Sequence, residues 1–374
     1  MDAYIKAISY YLPEREFTNE ELIAEFPEWN VEKVSAKTGI LKRHIAGESE
    51  TAADMAVKAA EKLFSEHGIQ PADIDFILFC TQSPDYFLPT SACIIQDRLG
   101  IPVKSGALDF NLGCSGYAYG LSLAAGLLKS QSANHILLLT AETYSKYIHQ
   151  KDKGNRSLFG DGAAATLVSA SGFARIGNFV FGTDGRGAEN LIVKNGGARQ
   201  KCPAGDDMVD EYGLIHSSDH LFMDGSKIFN FTLSVVPELV NDILAKNSMR
   251  KDEVDYFLFH QANKFMLDTI RKICKIDKSK YYMNLENTGN TVSSTLPIAI
   301  ADAMNGKHIL PDFKVMIAGF GVGYSWSGTA ARLAVISARK GRSLSRQIRK
   351  DSGIRRLIRR NALIAISARR SAPN

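Results

Sequence analysis

The sequence predicts an α/β protein built from two tandem copies of one unit. Three pairs of segments match in the same order at similar offsets: residues 74–81 with 254–261, 111–117 with 287–293, and 160–170 with 326–337. Self-similarity at a fixed period indicates a duplicated structural unit. Short apolar runs alternate with helical patterns in each copy, which is typical of sheets covered by helices.

Local signals are clearest in the first copy. A capping box at residues 51–54 predicts the start of a helix, and Gly68 predicts its end. The runs IDFILFC at 74–80 and HILLLTA at 135–141 are continuously apolar, as expected of strands buried on both faces. In the second copy, the polar and glycine-rich stretch 194–218 predicts a surface loop.

The two halves are predicted at residues 1–171 and 172–337, followed by a basic tail at 338–374. The tail contributes +11 to the net charge of +5, so the first 337 residues carry −6. Its apolar residues recur at helical spacing, so it could be a basic amphipathic helix that binds an acidic carrier protein, an anionic membrane or RNA. The alternative is a disordered or incidental extension. We favour that reading because no nucleic-acid motif accompanies the charge.

Composition excludes several classes of protein. With 374 residues, 45% hydrophobic and 23% charged, the chain is ordinary for a globular protein. No apolar run reaches the ~20 residues needed to cross a membrane, and the N-terminus lacks a signal peptide, so we expect a soluble, cytoplasmic protein. The odd number of cysteines, 5, favours reduced thiols. Neither cysteines nor histidines have metal-ligand spacing, so we expect no metal site.

The repeat also points to a site. It pairs Cys80 with His260, and Cys114 with Asn290. Ends of equivalent strands should meet near a pseudo-twofold axis, so we expect Cys114, His260 and Asn290 to converge although they lie far apart in the sequence.

Cys114 has the most informative local setting of the three. A helical run follows it directly, so its sulfur should lie at a helix N-terminus, where the macrodipole and free N–H groups favour the thiolate. Gly113 and Gly116 should permit a strained elbow and close approach of a substrate carbonyl. Taken singly, each residue has a structural alternative: an inert buried cysteine, a core histidine at His260 and a helix cap at Asn290.

Six motifs together resemble the β-ketoacyl-(acyl-carrier-protein) synthase III family of the thiolase superfamily, over residues 3–337. They are GCSGYAYGL, HQAN and GNT around the three residues above, with TGILKRHIA (38–46), FGDGAAA (159–165) and GFGVGYSWSGTA (319–330). The resemblance implies a thiolase-like fold, in which two βαβαβαββ halves form a five-layered αβαβα architecture. It also implies that Cys114 is the nucleophile and that His260 and Asn290 assist it.

The reaction implied by this resemblance has two steps. Cys114 takes an acyl group from a thioester, and the backbone N–H groups of Cys114 and Val322 hold the oxyanion. The family usually has glycine at position 322, so the valine must adopt an ordinary φ. His260, as the neutral Nε2–H tautomer, and Asn290 then donate to the thioester of malonyl carrier protein, which loses carbon dioxide and attacks the acyl-cysteine.

The reading of the reaction has alternatives. Acyl transfer to another acceptor or thioester hydrolysis through the same acyl-cysteine is the second hypothesis, and a non-catalytic acyl-binding subunit is the third. No permanently bound cofactor is implied, since acyl-CoA and malonyl carrier protein are substrates.

Departures from the family concern the acyl donor. Lys33 replaces a tryptophan that stacks on adenine, with Trp29 one helical turn earlier, and Lys37 and Lys153 replace arginines. Together with Asn263, these lysines are the implied binding residues for acyl-CoA or pantetheine. Because lysine meets phosphates but does not stack as arginine does, the first acyl group could arrive on a carrier protein or as a different acyl-CoA.

The resemblance further implies two protein contacts. Lys264, Arg271 and Lys272 should form a cationic face that docks the acidic carrier protein, the alternative being an ordinary solvated face. Residues 86–89 should cross a homodimer interface, with Leu88 lining the partner's acyl pocket. The stretch 194–218 and the MDG sequence that follows it suggest a specialised branch of the family.

Overall fold

The structure is a computed structural model that describes residues 2–211 and 213–334. The predicted tail at 338–374 lies outside the described residues. The strands are β1 Tyr4–Tyr11, β2 Arg15–Thr18, β3 Lys42–Ile45, β4 Phe76–Cys80, β5 Gly106–Phe110, β6 His135–Glu142, β7 Gly162–Ser169, β8 Ala174–Thr183, β9 Leu191–Ile192, β10 Met208–Val209, β11 Ile215–His216, β12 Phe222–Met223, β13 Tyr256–Phe259, β14 Lys314–Gly321 and β15 Ser325–Leu333. The helices are α1 Asn19–Glu25, α2 Val31–Thr38, α3 Ala52–His67, α4 Ser91–Arg98, α5 Gly116–Lys129, α6 Lys153–Arg156, α7 Gly225–Lys246, α8 Lys264–Ile273 and α9 Thr295–Asn305.

The main sheet shows the duplication directly. Its strand order is β13-β14-β15-β8-β1-β7-β6-β4-β5, and β1 meets β8 through only two residue pairs, Tyr4 with Arg175 and Ile5 with Ala174. Outward from this join, β1-β7-β6-β4 on one side mirrors β8-β15-β14-β13 on the other. The counterpart of β5 is a single parallel bridge between Phe257 and Tyr281. The predicted boundary after residue 171 falls between β7 and β8.

Helices cover and separate the two half-sheets. On the outer face of the first, α3 packs on β1, β6 and β7; on the second, α7 packs on β8, β14 and β15. Between the half-sheets lie α5 and α9, whose buried residues extend around most of each helix. A helix that is apolar all round is expected where both sides meet a sheet. These layers confirm the predicted αβαβα architecture.

The local predictions in the first half are confirmed. Thr51 caps α3 in a capping box with Asp54, and Gly68 ends the helix in the left-handed conformation, at φ 63°. The two apolar runs form β4 and β6, and every residue of β6 after His135 is buried.

The polar stretch 194–218 is mostly loop, as predicted, but it also contains the short hairpin β10–β11. The carboxylate of Asp219 holds this loop, because it accepts hydrogen bonds from the Asn195 side chain and from the backbone N–H groups of Ala204 and Gly205. Strands β9 and β12 pair across its base.

One helix among the described residues, α7, is long and apolar enough to span a membrane by length and composition. This finding does not contradict the expectation from the sequence, because polar residues interrupt the apolar run of α7. Val236, Leu239 and Ile243 are buried against the second half-sheet, which is the environment of a core helix.

Candidate active site

Cys114 lies in the turn between β5 and α5, two residues before the first residue of α5, with Ser115 at the cap position. The sulfur is therefore near the start of a helix, as the sequence predicts. The residue is 6% exposed and belongs to the core that also contains Phe320.

Glycines make room around this sulfur. A Cβ at Gly321 would lie 2.7 Å from the Cys114 Sγ, and one at Gly116 would lie 2.3 Å from the Cys80 Sγ. Neither Gly113 nor Gly116 adopts a left-handed φ. The expectation of a strained elbow is therefore wrong: these glycines supply space rather than an unusual backbone conformation.

The thiol is held in its neutral form. Burial is the main cause that raises the pKa of the Cys114 thiol to about 12. The N–H of Val322 lowers this pKa, the charge of Glu142 raises it further, and the N–H of Cys114 itself lowers it. Desolvation penalises the charged form of a buried thiol. At neutral pH the sulfur therefore carries its proton, contrary to the thiolate expected from the helix start alone.

Two backbone N–H groups act on the sulfur by lowering its pKa, those of Val322 and of Cys114 itself. The valine at position 322, where the family usually has glycine, does not have to adopt a left-handed φ. The left-handed conformations of this turn fall on its neighbours Gly323, at φ 71°, and Tyr324, at φ 48°. Val322 keeps an ordinary φ, and its amide still faces Cys114.

His260 directly follows β13 and is 2% exposed. Its backbone N–H donates to the Ala318 carbonyl at 2.9 Å, and its ring meets the Phe320 ring edge-on, with 6.0 Å between centroids. Its Nδ1 lies 2.7 Å from the Thr295 Oγ1. Burial lowers the pKa of His260 to about 3, so the imidazole is neutral at physiological pH.

Asn290 presents its amide nitrogen as a donor. Its Oδ1 accepts a hydrogen bond from the Val292 N–H at 2.9 Å, and because a backbone N–H can only donate, the atom it meets must be the oxygen. Within residues 2–211 and 213–334, no group accepts from the Asn290 Nδ2. Asn290 therefore uses its Oδ1 to bond a backbone N–H, as a capping residue does, and keeps its Nδ2 as a free donor within that part of the chain.

Val292 joins this turn to the nucleophile turn. It is a β-branched residue at φ 54°, an outlier for its type. Its Cγ1 would be 3.2 Å from a Cβ at Gly113, while the Val322 Cγ1 would be 2.6 Å from the same position. The three predicted residues thus share neighbours. Cys114 lies against residues 319–322, and His260 contacts the strand that leads into them. Asn290 is hydrogen-bonded to Val292, which lies close to Gly113.

Sequence reasoning missed a buried carboxyl beside the site. Glu142 is 0% exposed and accepts hydrogen bonds from the Gln82 N–H and from the hydroxyls of Ser83 and Ser293. Burial raises the pKa of Glu142 to about 8. The available signal was its position at the end of an apolar run, HILLLTAE, since a carboxyl there is carried into the core.

The residues predicted to bind the acyl donor differ in exposure and in whether they already have partners. Lys33 and Lys37 are exposed on α2. The Lys153 Nζ instead pairs with the Glu28 Oε1 at 2.7 Å, and it lies 5.7 Å from the centre of the Trp29 ring. Asn263 caps α8, with its Oδ1 accepting from the Met266 N–H.

The predicted docking face is only partly present. Lys264 and Lys272 are exposed, but the Arg271 side chain is only 17% exposed. Its Nη1 donates to the Ile276 carbonyl, and its Nε lies 3.8 Å from the Asp268 carboxylate. Spacing along the helix could not reveal this, because the chain after α8 folds back over the arginine.

Leu88, the residue predicted to reach a partner, is 83% exposed, and Phe87 beside it is 85% exposed. They lie on the loop after β4, and β5 is the edge strand of the sheet.

Away from these residues, His149, Asp207 and His220 bring ligand-type atoms within 4.8 Å of one another. Spacing did not suggest this group. The His149 Nδ1 accepts from the Lys151 N–H, so its Nε2 carries a proton and donates to the Asp207 carboxylate at 3.2 Å. Hydrogen bonding accounts for this contact without a metal.

Comparison with known proteins identifies the family of this chain. A family profile described as 3-oxoacyl-(acyl-carrier-protein) synthase III matches residues 108–185, and the profile of its C-terminal part matches residues 244–333. The β-ketoacyl-(acyl-carrier-protein) synthase III of Clostridium perfringens strain ATCC 13124 is 34% identical over 324 residues, covering 86% of this chain and 97% of that protein.

Solved structures agree as well. A crystal structure of a 3-oxoacyl-(acyl-carrier-protein) synthase III superposes with a TM-score of 0.87 at 48% identity, covering 89% of this chain and 100% of the other. The 3-oxoacyl-(acyl-carrier protein) synthase of Burkholderia xenovorans LB400 gives a TM-score of 0.81 at 36% identity, covering 90% and 94%.

The first profile spans Cys114, and the second spans His260 and Asn290. The fold is the thiolase fold, and the activity is that of an acyltransferase-type condensing enzyme. The chain belongs to the β-ketoacyl-(acyl-carrier-protein) synthase III family.

Proposed function

We propose that Cys114 takes an acyl group from a thioester and that His260 and Asn290 then support decarboxylative condensation with malonyl carrier protein, in fatty-acid or specialised acyl-chain biosynthesis. The observation that carries this proposal is the position of the Cys114 thiol, two residues before α5 and near the N–H groups of Val322 and Cys114, which lower its pKa. Such donors stabilise the oxyanion of an acyl-transfer intermediate.

In the first step, the Cys114 sulfur attacks the thioester carbonyl and the carrier thiol departs. Because the thiol is protonated in the free enzyme, its proton must leave as the new bond forms, and the departing thiolate can take it. His260 is a poor candidate for this proton, since burial lowers its pKa to about 3.

In the second step, the malonyl thioester loses carbon dioxide, and the resulting enolate attacks the acyl-cysteine. The Cys114 sulfur leaves as a thiolate and takes a proton from water. The neutral His260 and the Asn290 Nδ2 donate to the thioester oxygen on which the enolate charge develops. Neither group changes its charge in this role, which suits their burial.

Hydrolysis, or acyl transfer to an alcohol or amine, is the second candidate. Either reaction needs a group that removes a proton from the acceptor. The low basicity of His260 disfavours both relative to condensation.

The acyl donor is proposed to be acyl-CoA or an acylated carrier protein, with no permanently bound cofactor. Lys33, Lys37, Lys264 and Lys272 offer exposed positive charge to an acidic carrier protein or to the phosphates of pantetheine. Lys153 is the weakest of the predicted contacts, because Glu28 already neutralises it.

The protein is proposed to be a cytoplasmic homodimer. An open strand edge at β5 and a run of exposed apolar side chains, Tyr86, Phe87 and Leu88, are features that proteins normally cover.

Intact-protein mass spectrometry tests the proposal. The protein is exposed to a panel of acyl-CoAs and acyl carrier proteins, and malonyl carrier protein is added afterwards. Wild type should gain one acyl mass and lose it on condensation, whereas Cys114→Ala should gain none and the matched control Cys202→Ala should behave as wild type. His260→Ala should acylate but fail to condense. An acyl mass on Cys114→Ala, or normal condensation by His260→Ala, would refute the assignment.

A further inference from the structure

We propose that Thr295 is a positioning residue that selects the Nε2–H tautomer of His260; this inference rests on the proposed condensation. Thr295 is 3% exposed and is the first residue of α9. Its Oγ1 lies 2.7 Å from the His260 Nδ1 and 3.0 Å from the Val292 carbonyl oxygen.

The direction of the hydrogen bond between Thr295 and His260 determines which ring nitrogen of His260 carries the proton. The Thr295 hydroxyl has one hydrogen and two acceptors within reach. If it donates to the Val292 carbonyl, the His260 Nδ1 must carry the ring proton and donate to Oγ1, which leaves Nε2 bare. If it donates to the His260 Nδ1, the ring proton is on Nε2.

The second arrangement is the one that condensation requires. A thioester oxygen that gains negative charge needs a donor, and a bare Nε2 would present a lone pair to it instead. Binding of the malonyl thioester therefore favours the rotamer in which Thr295 donates to His260, at the cost of its bond to Val292. The shorter of the two contacts is the one to His260.

The backbone of Val292 contacts both Asn290 and Thr295. Its N–H holds the Asn290 Oδ1, and its carbonyl lies within reach of Thr295, which holds His260. A β-branched residue at φ 54° is strained, and such strain is maintained only where the surroundings impose it. The Val292 N–H thus fixes the orientation of Asn290, while its carbonyl competes with the His260 Nδ1 for the Thr295 hydroxyl hydrogen.

Three variants test this assignment. Thr295→Val keeps the shape of the side chain and removes the hydroxyl, Thr295→Ser restores the hydroxyl, and Ser294→Ala removes a neighbouring buried hydroxyl that bonds Thr140 and Gly162 rather than His260. We expect Thr295→Val to acylate Cys114 at the wild-type rate and to decarboxylate malonyl carrier protein about 10- to 100-fold more slowly. Thr295→Ser and Ser294→Ala should decarboxylate within about threefold of wild type.

A spectroscopic readout separates this inference from the function on which it rests. In ¹⁵N-histidine-labelled protein, with His260→Gln to assign the signal, we expect the His260 ring proton on Nε2 when a non-decarboxylating malonyl thioester analogue is bound. In Thr295→Val, the Nε2–H signal should weaken. A ring proton on Nδ1 in the analogue complex would overturn the proposal, as would unchanged decarboxylation by Thr295→Val. Failure of wild type to condense would instead refute the proposed function while leaving the tautomer measurement decisive.

Discussion

The sulfur of Cys114 combines two opposing influences, a helix start that favours negative charge and a buried position that disfavours it. Burial dominates, since the pKa of the thiol is raised to about 12. Below that value, the thiolate fraction rises tenfold per pH unit. We therefore expect the alkylation rate of Cys114 by iodoacetamide to keep rising between pH 7 and pH 10, measured by mass on its tryptic peptide. A free small-molecule thiol should level off near its pKa of about 8.5, and a plateau of Cys114 near neutral pH would contradict the assignment.

The charge of Glu142 should change the pH dependence of Cys114 alkylation. Burial raises the pKa of Glu142 to about 8, so it is neutral below that pH and charged above it, and its charge raises the pKa of Cys114. Glu142→Gln should therefore match wild type below about pH 7 and alkylate faster than wild type above about pH 9. Equal rates at high pH would show that Glu142 does not act on the sulfur. Ser83→Ala removes a hydrogen bond that lowers the pKa of Glu142, so it should keep Glu142 neutral to a higher pH and should not reproduce the effect of Glu142→Gln by local disruption alone.

Elements set by local chemistry could be predicted from the sequence. The capping box at Thr51 and the left-handed Gly68 bound α3 as expected, because the signals lie within a few residues of the ends they determine. The site could be predicted only through the repeat and the family resemblance, which together link residues 146 and 176 positions apart. What the sequence did not reveal depends on packing: the burial of Arg271 by the chain after α8, and the contact between Thr295 and His260.

The turn between β14 and β15 is an element whose shape serves Cys114. A methyl at Gly321 would lie 2.7 Å from the Cys114 Sγ, so Gly321→Ala must displace the sulfur or the turn. We expect it to destabilise the fold by about 1–3 kcal/mol and to slow acylation more than tenfold. Thermal unfolding and acylation mass spectrometry measure the two effects. Gly126→Ala is the matched control, because its methyl meets no atom within 4 Å and it lies on the exposed side of α5.

At the scale of the whole molecule, the duplication explains why the site lies where it does. The half-sheets join through only two residue pairs, and α5 and α9, which begin at the nucleophile turn and at Thr295, are packed between them. Each half therefore brings a turn and a helix start to the same interior region. Chemistry that needs a nucleophile and two hydrogen-bond donors can draw them from different halves without any exposed loop holding them together.

The exposed apolar side chains of Phe87 and Leu88 and the open edge of β5 predict how two copies of the protein would associate. Phe87 and Leu88 are 85% and 83% exposed beside the open edge of β5, so a second copy would bury them and extend the sheet. We expect Leu88→Asp to shift sedimentation from dimer toward monomer, because burying an unpaired carboxylate is costly. Leu310→Asp, at another exposed leucine, should remain dimeric. If Leu88 also lines the partner's acyl pocket, Leu88→Ala should stay dimeric while changing which chain lengths charge Cys114. A monomeric wild-type protein would refute the proposed homodimer, and a dimer unaffected by Leu88→Asp would place the interface elsewhere.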